Sequence, residues 1–347
     1  MIPSQMHAVL LKGHGGLEQL EYRDDVAVPA PTAGEVLLRV RAAGVNNTDI
    51  NLRTGWYSKA DAAVAADAGW SGAALSFPRI QGADACGEIV AVGAGVDAGR
   101  VGERVLVDPV LRPAGDPSLA AARYFGSDCN GAFADYVAVP AANARRITSR
   151  LADAELASFP CAYSAAENML TRAGVAAGET VLVTGASGGV GSAAVQLARR
   201  RGARVLAIAS RPKLAAVAAL GAEQVLERDA PLVATLGRES LDAVVDVVGG
   251  TGFADCLELL RRGGRYAVAG AIAGPRVALD LRTLYLKDLK LLGCTILEPE
   301  VFGNLIGYIE RGEIRAEVSA TYPLAEIAAA QRDFLAKAHV GKIVLVP

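Results

Sequence analysis

Residues 181–191 read Val-Leu-Val-Thr-Gly-Ala-Ser-Gly-Gly-Val-Gly. A short apolar run with strand preference enters a glycine-rich turn, and the turn opens onto a helical pattern that continues through Arg200. The last six residues, Ala186, Ser187, Gly188, Gly189, Val190 and Gly191, match the G-x-G-x-x-G fingerprint with Ala186 in place of the first glycine. In such a turn Gly188 lets the backbone approach a pyrophosphate, and Gly191 lets the helix pack tightly on the strand. The helix N-terminus then turns its unpaired N–H groups and positive dipole end toward the phosphates. The stretch predicts one βαβ unit of a doubly wound parallel sheet.

The pattern extends downstream. Residues 204–209 (RVLAIA) form the next apolar run, followed by a helical pattern, and runs at 224–226, 243–247 and 266–269 continue the alternation. Strands alternating with helices of about 10–15 residues build a parallel sheet. Upstream of about residue 150 the texture differs. Short apolar runs cut by Gly and Pro, such as 35–41 (EVLLRVR), 87–92 (GEIVAV) and 103–107 (ERVLV), predict a mostly antiparallel, turn-rich domain. After a run at 289–296 (LKLLGCTI), a helix near 300–311 and a final strand at 342–346 close the chain. The fold class expected is α/β, with a Rossmann sheet inserted into a β-rich domain. Residues 152–290 form the inserted domain, and 1–151 plus 291–347 form the other.

An acidic residue usually follows the second strand of a site that prefers NAD, where it holds the ribose hydroxyls. Here that place is Ser210, followed by Arg211, Pro212 and Lys213. No carboxylate is there to repel a 2′-phosphate, and two cations are there to attract one. The site is therefore read as preferring NADPH to NADH, against the alternative that Arg211 and Lys213 form a solvated helix start.

The whole chain sets limits on these readings. Its 347 residues suit two domains. Hydrophobic residues at 52% and charged residues at 21% describe a globular chain rather than a disordered one. A net charge of −2 with no basic block argues against nucleic acid or a membrane surface as partner. The uncharged stretch 180–198 is long enough to cross a membrane, but its glycine turn fits a buried strand and helix better. Residues 1–16 lack the layout of a signal peptide. The five cysteines (Cys86, Cys129, Cys161, Cys256 and Cys294) are dispersed, as reduced thiols of a cytoplasmic protein would be.

Several motifs in order resemble the medium-chain dehydrogenase/reductase superfamily, most closely its zinc-independent quinone oxidoreductases and enoyl reductases. They are 44–57 (GVNNTDINLRTGWY), 81–93 (QGADACGEIVAVG), 101–105 (VGERV), 131–139 (GAFADYVAV), the glycine turn and 341–345 (GKIVL). The resemblance implies a GroES-like catalytic domain carrying a Rossmann domain, with a cofactor cleft between them and a homodimer joined through the 289–296 strand. In zinc-dependent relatives the metal is held by a cysteine where this chain has Asn46, by a Gly-His-Glu where it has Gly82-Ala83-Asp84, and by a cysteine at Cys161. One thiol cannot supply the three protein ligands a catalytic zinc needs. The three histidines (His7, His14, His339) lie near the chain ends, and Cys129 alone stands where relatives place four structural-zinc cysteines. No metal is expected.

By the same resemblance, Tyr57 and Asn46 face the substrate and cofactor, with Tyr57 either the proton donor or a packing residue at the cleft edge. Asn46 bonds the nicotinamide ribose or orients the substrate, and Asp49 makes a structural hydrogen bond. Val247, Val248, Gly270 and Ala271, at strand ends, line the cofactor channel. Lys342 reaches the cofactor phosphates or is a plain surface lysine. Segments 57–78 and 110–128 are longer than in simple quinone reductases and flank the cleft mouth. The expected activity is hydride transfer from NADPH to a small, electron-poor acceptor, a quinone or an α,β-unsaturated carbonyl compound. A zinc-type alcohol dehydrogenase and a non-catalytic NADP-binding sensor are the alternatives.

Overall fold

The computed structural model describes residues 1–58, 68–113 and 121–347. The described residues divide into two compact units, one made of Met1–Cys161 with Ala316–Pro347, the other of Ala162–Arg315.

The first unit is mostly antiparallel. Its strands are β1 (Gln5–Leu11), β2 (Leu20–Ala27), β3 (Glu35–Gly44), β4 (Arg79–Ile80), β5 (Cys86–Val92), β6 (Arg104–Val107), β7 (Val110–Leu111), β8 (Arg123–Tyr124), β9 (Tyr136–Pro140) and β10 (Ala144–Arg146). In β3 the alternating residues Val36, Leu38 and Val40 point into the core, where Ile89, Val105, Phe125 and Phe133 meet them. β3 pairs antiparallel with both β5 and β9.

The second unit carries β11 (Thr180–Val183), β12 (Arg204–Ala209), β13 (Gln224–Glu227), β14 (Leu241–Asp246), β15 (Leu260–Val268) and β16 (Lys290–Gly293). They lie in the order β13-β12-β11-β14-β15-β16, every neighbouring pair parallel. This order reverses between β11 and β14, which is where a doubly wound sheet opens a ligand crevice at its strand C-termini. The helix Gly189–Arg200 turns Ala193, Ala194, Leu197 and Ala198 onto the sheet, and its small residues let it lie close.

The chain then returns to the first unit. β17 (Val318–Pro323) pairs parallel with β18 (Lys342–Val346), and β18 pairs antiparallel with the end of β3. The Rossmann-type sheet is thus inserted into a GroES-like unit, as the sequence predicts. The division falls after Cys161 and after Arg315 rather than at 151/152 and 290/291. Residues 291–315 stay with the parallel sheet because β16 extends it and because Asn168 binds the backbone on both sides of the following turn. Its Nδ2 donates to Ile296 O at 3.1 Å, and its Oδ1 accepts from Glu298 N at 2.9 Å. Segments 57–78 and 110–128 lie partly outside the described residues. Among the described residues no helix is long and apolar enough to cross a membrane.

Candidate active site

In the second unit the predicted cofactor residues converge on the C-terminal ends of the parallel strands. β11 runs into the turn, where Gly188 N donates to Gly185 O at 3.0 Å, and Gly188 caps the helix Gly189–Arg200 without any side-chain hydrogen bond. The first-turn N–H groups therefore await an acceptor from outside the helix. A Cβ on Gly191 would fall 2.7 Å from Ala186 Cα and closer still to the Gly185 carbonyl, so only glycine permits this helix–strand contact. Ser187, Gly188, Gly189 and Val190 remain at the surface while Ala186 is buried.

Ser210 follows β12 and starts a short 3₁₀ turn over Arg211–Lys213. The Arg211 guanidinium, largely exposed, donates to both carboxylate oxygens of Glu227 at 3.1 Å. Burial, with Arg228 nearby, lowers the Lys213 ammonium below its usual range. Val247 and Val248 follow β14 and pack over the glycine turn, their Cγ2 atoms both 3.1 Å from where a Gly185 Cβ would stand. Gly270 and Ala271 follow β15, and a Cβ on Gly270 would lie 3.1 Å from Val247 O.

Three residues that sequence reasoning missed hold this rim together. Asp246, buried at the end of β14, accepts from the Thr184 and Tyr266 hydroxyls, and its carboxylate takes Val248 N at 2.8 Å and Gly249 N at 3.1 Å. Burial and the Asp246 charge push the Tyr266 phenol up, so it stays a donor. An acid closing an apolar run (AVVD) was the available signal.

In the first unit the helix Asn47–Thr54 begins at Asn46, whose backbone N–H donates to Asp49 Oδ2 at 2.7 Å. Asp49 also accepts from Gly82 N at 3.2 Å, and burial pushes its carboxyl up to about 7. Tyr57 shares a 3.0 Å hydrogen bond with the Thr48 hydroxyl, and burial raises its phenol above the ordinary tyrosine range. Cys161 N donates to Asp84 Oδ1 at 2.6 Å, and Cys161 Sγ lies 3.1 Å from the Tyr124 hydroxyl. Burial and Asp84 push the Cys161 thiol up to about 12. Trp70 stacks on Tyr124 with ring centres 4.8 Å apart.

Two of the expected cofactor residues are engaged within this unit. The Asn46 carboxamide is engaged inside the unit, Nδ2 donating to Asp84 Oδ2 at 2.8 Å and to Gly44 O at 3.2 Å, and Oδ1 accepting from Lys342. The other is Lys342, which is buried rather than a surface lysine. Its ammonium donates to Val45 O at 2.9 Å, Asp84 Oδ2 at 2.8 Å and Asn46 Oδ1, so all three protons are used where the chain buries them.

Comparison with known proteins agrees with this architecture. The family description "Alcohol dehydrogenase GroES-like domain" matches residues 32–149, and "Zinc-binding dehydrogenase" matches 189–311. A protein of Sinorhizobium meliloti 1021, assigned provisionally to the alcohol dehydrogenases, has a solved structure that superposes with a TM-score of 0.93. It is 52% identical, and the match covers 100% of this chain and 98% of that one. The chain belongs to the medium-chain dehydrogenase/reductase superfamily. Within this superfamily of oxidoreductases, the acryloyl-coenzyme A reductase of Metallosphaera sedula is 29% identical across 98% of this chain and 99% of its own length. The quinone oxidoreductase of Lama guanicoe is also 29% identical, across 98% of this chain and 97% of its own.

Proposed function

We propose that the protein is an NADPH-dependent, zinc-independent reductase acting on a quinone or on a carbon–carbon double bond conjugated to a carbonyl. The observation that carries this reading is Tyr57, a half-buried tyrosine whose phenol is held by Thr48 within electrostatic reach of Cys161 and Asp49. Its raised pKa keeps Tyr57 protonated throughout the neutral range, so its hydroxyl is available to donate where negative charge develops on an acceptor.

The residues fit a dinucleotide. The uncapped helix at Gly189, the close approach secured by Gly191 and the rim of Val247, Val248, Gly270 and Ala271 form a cradle for its phosphates and rings. A bound nicotinamide supplies the hydride. Ser210, Arg211 and Lys213 would hold a 2′-phosphate, with Arg211 shared between that phosphate and Glu227. Replacing Arg211 and Lys213 together by alanine should weaken NADPH binding by about 1.5–3 kcal/mol, roughly tenfold to over a hundredfold, and leave NADH binding unchanged. Fluorescence titration with both cofactors checks this.

The residues do not fit a zinc ion. Asn46 and Ala83 stand at two of the three positions where zinc-dependent relatives place ligands, and among the described residues no group of three or more His, Cys, Asp or Glu side chains stands ready to bind a metal. The resemblance in sequence to both an acryloyl-coenzyme A reductase and a quinone oxidoreductase supports the acceptor class.

The test is NADPH and NADH oxidation by the purified protein in excess chelator, with a small quinone, a 2-alkenal and an enoyl thioester as acceptors. Turnover with NADPH and at least one of these is expected. Activity that appears only with added zinc and an alcohol substrate would overturn the reading.

A further inference from the structure

One buried charge has no part in the chemistry just described. Lys342 is 2% exposed, and Asp84, 2.8 Å away, is fully buried. An ammonium withdrawn from water is costly to keep unless each of its protons finds an acceptor. Here each does, and the acceptors are three oxygens of different kinds: the Val45 carbonyl, the Asn46 carboxamide and the Asp84 carboxylate. The site is built for this approach. A Cβ on Gly44 would fall 2.8 Å from Ala157 O and closer still to Asp84 Oδ2, so glycine at the end of β3 admits the carboxylate.

The ammonium also fixes direction. By donating to Asn46 Oδ1 it forces the carboxamide to present Nδ2 to Asp84 and Gly44 O. Asn46 in turn sets the first turn of the helix Asn47–Thr54 through its backbone bond to Asp49, and that turn carries Thr48, the partner of Tyr57. The other oxygen of Asp84 accepts from Cys161 N.

We propose that the Lys342 ammonium is an internal cation seated in a three-oxygen site of Val45, Asn46 and Asp84, and that it acts as a positioning residue for the Thr48–Tyr57 pair through Asn46. The positioning role rests on the reading of Tyr57 as proton donor, and the cation site stands apart from it.

The experiment uses the full-length chain. Lys342→Ala removes the ammonium and leaves its three oxygens. The variant should melt lower than wild type, and kcat with an enone or enoyl-thioester acceptor should fall about 10- to 100-fold with KM nearly unchanged. Methylammonium, which carries the missing N–H donors, should restore both melting temperature and kcat with one half-saturation concentration. Tetramethylammonium, which has no N–H, should restore neither. The K342M/D84N variant removes both charges at similar volume and should melt near wild type, yet keep the low kcat.

Wild-type kcat in K342M/D84N would reduce the lysine to a counter-charge for Asp84 and overturn the positioning role. Failure of methylammonium to raise the melting temperature of Lys342→Ala would overturn the cation site. If wild type itself reduces no acceptor, the Tyr57 reading and the positioning role fall together, while the methylammonium effect on melting still decides the site.

Discussion

Tyr57 and Asp49 lie on one short segment, and burial favours the protonated form of both. For Tyr57 the consequence is chemical. Tyr57→Phe removes the hydroxyl and its bond to Thr48 but keeps the ring, so stability should change by no more than about 1 kcal/mol. Enone or enoyl-thioester reduction should slow about 100-fold while quinone reduction persists. Steady-state rates with both acceptors check this, and equal rates for variant and wild type on the enone would remove the proton-donor role. For Asp49 the consequence is a linkage. Its folded-state pKa of about 7 lies above the ordinary 3.8, so the folded chain holds a proton that the unfolded chain releases. The stability this provides is complete below the ordinary value and is lost as pH rises through about 7. Asp108, pushed up to about 6 by burial, acts in the same direction. At pH near 5.5, Asp49→Asn should release about one proton fewer on unfolding than wild type. Calorimetry in buffers of differing ionisation enthalpy reads that number, and equal release would show that Asp49 is ionised in the folded state. At this scale the sequence was least legible. Nothing in Gly341-Lys342-Ile343 distinguishes a phosphate-binding lysine from a buried one, because the difference lies in Asp84 and Asn46, more than 250 positions away.

The elements were far easier to read. The run VLVTGASGGVG contains a strand, a turn and a helix start, and each is set by local chemistry: branched apolar residues, glycines, then an uncapped helix. The runs at 204–209 and 342–346 became β12 and β18 with the bounds their patterning predicted. What pattern could not supply was partnership. The strand at 290–293 looks like any other apolar run, and only its register against β15, with Arg265 opposite Lys290, makes it the edge of the parallel sheet. The glycine turn offers the sharpest test of an element. In Gly191→Ala the added methyl meets backbone at Ala186 and Gly185, atoms that move only if the helix withdraws from β11. Such overpacking costs about 1–3 kcal/mol. Because the displaced helix carries the phosphate-facing N–H groups, cofactor affinity should fall as well. Gly188→Ala is the control for stability, since a Cβ there finds ordinary contact at 3.5 Å from Gly185 O. Thermal unfolding of the pair would show equal losses if the tight contact at Gly191 had no role, and cofactor titration of Gly191→Ala against wild type reads the affinity.

Across the whole molecule, the two units differ in how the chain builds them. The unit Ala162–Arg315 is a single stretch and holds every strand of its sheet, whereas the other unit needs both chain ends, with β18 seated between β3 and β17. The sequence showed the insertion as a change of texture near residue 152, but its end was read too early, since residues 291–315 carry no composition that assigns them to either side. The contacts do assign them. Tyr163 OH donates to Arg315 O at 2.6 Å, Gln196 Oε1 accepts from Arg315 N at 3.0 Å, and Tyr308 OH donates to Glu167 at 3.2 Å. These bonds tie the end of the stretch to its beginning and to the helix that follows the glycine turn. A fragment of residues 162–315 should therefore fold alone. If it carries the cofactor cradle, saturating NADPH at about 100 times Kd should stabilise it by about 2.7 kcal/mol. A fragment of residues 152–290 lacks almost all of β16 and all of the 291–315 bonds, and leaves β15 as an open edge. It should aggregate or melt far lower, with no gain from NADPH. Circular dichroism melts of the two fragments, with and without cofactor, decide the matter. Equal melting would show that residues 291–315 are dispensable to the parallel sheet. A cooperative melt of 162–315 that NADPH does not shift would place the cofactor's main contacts outside that unit.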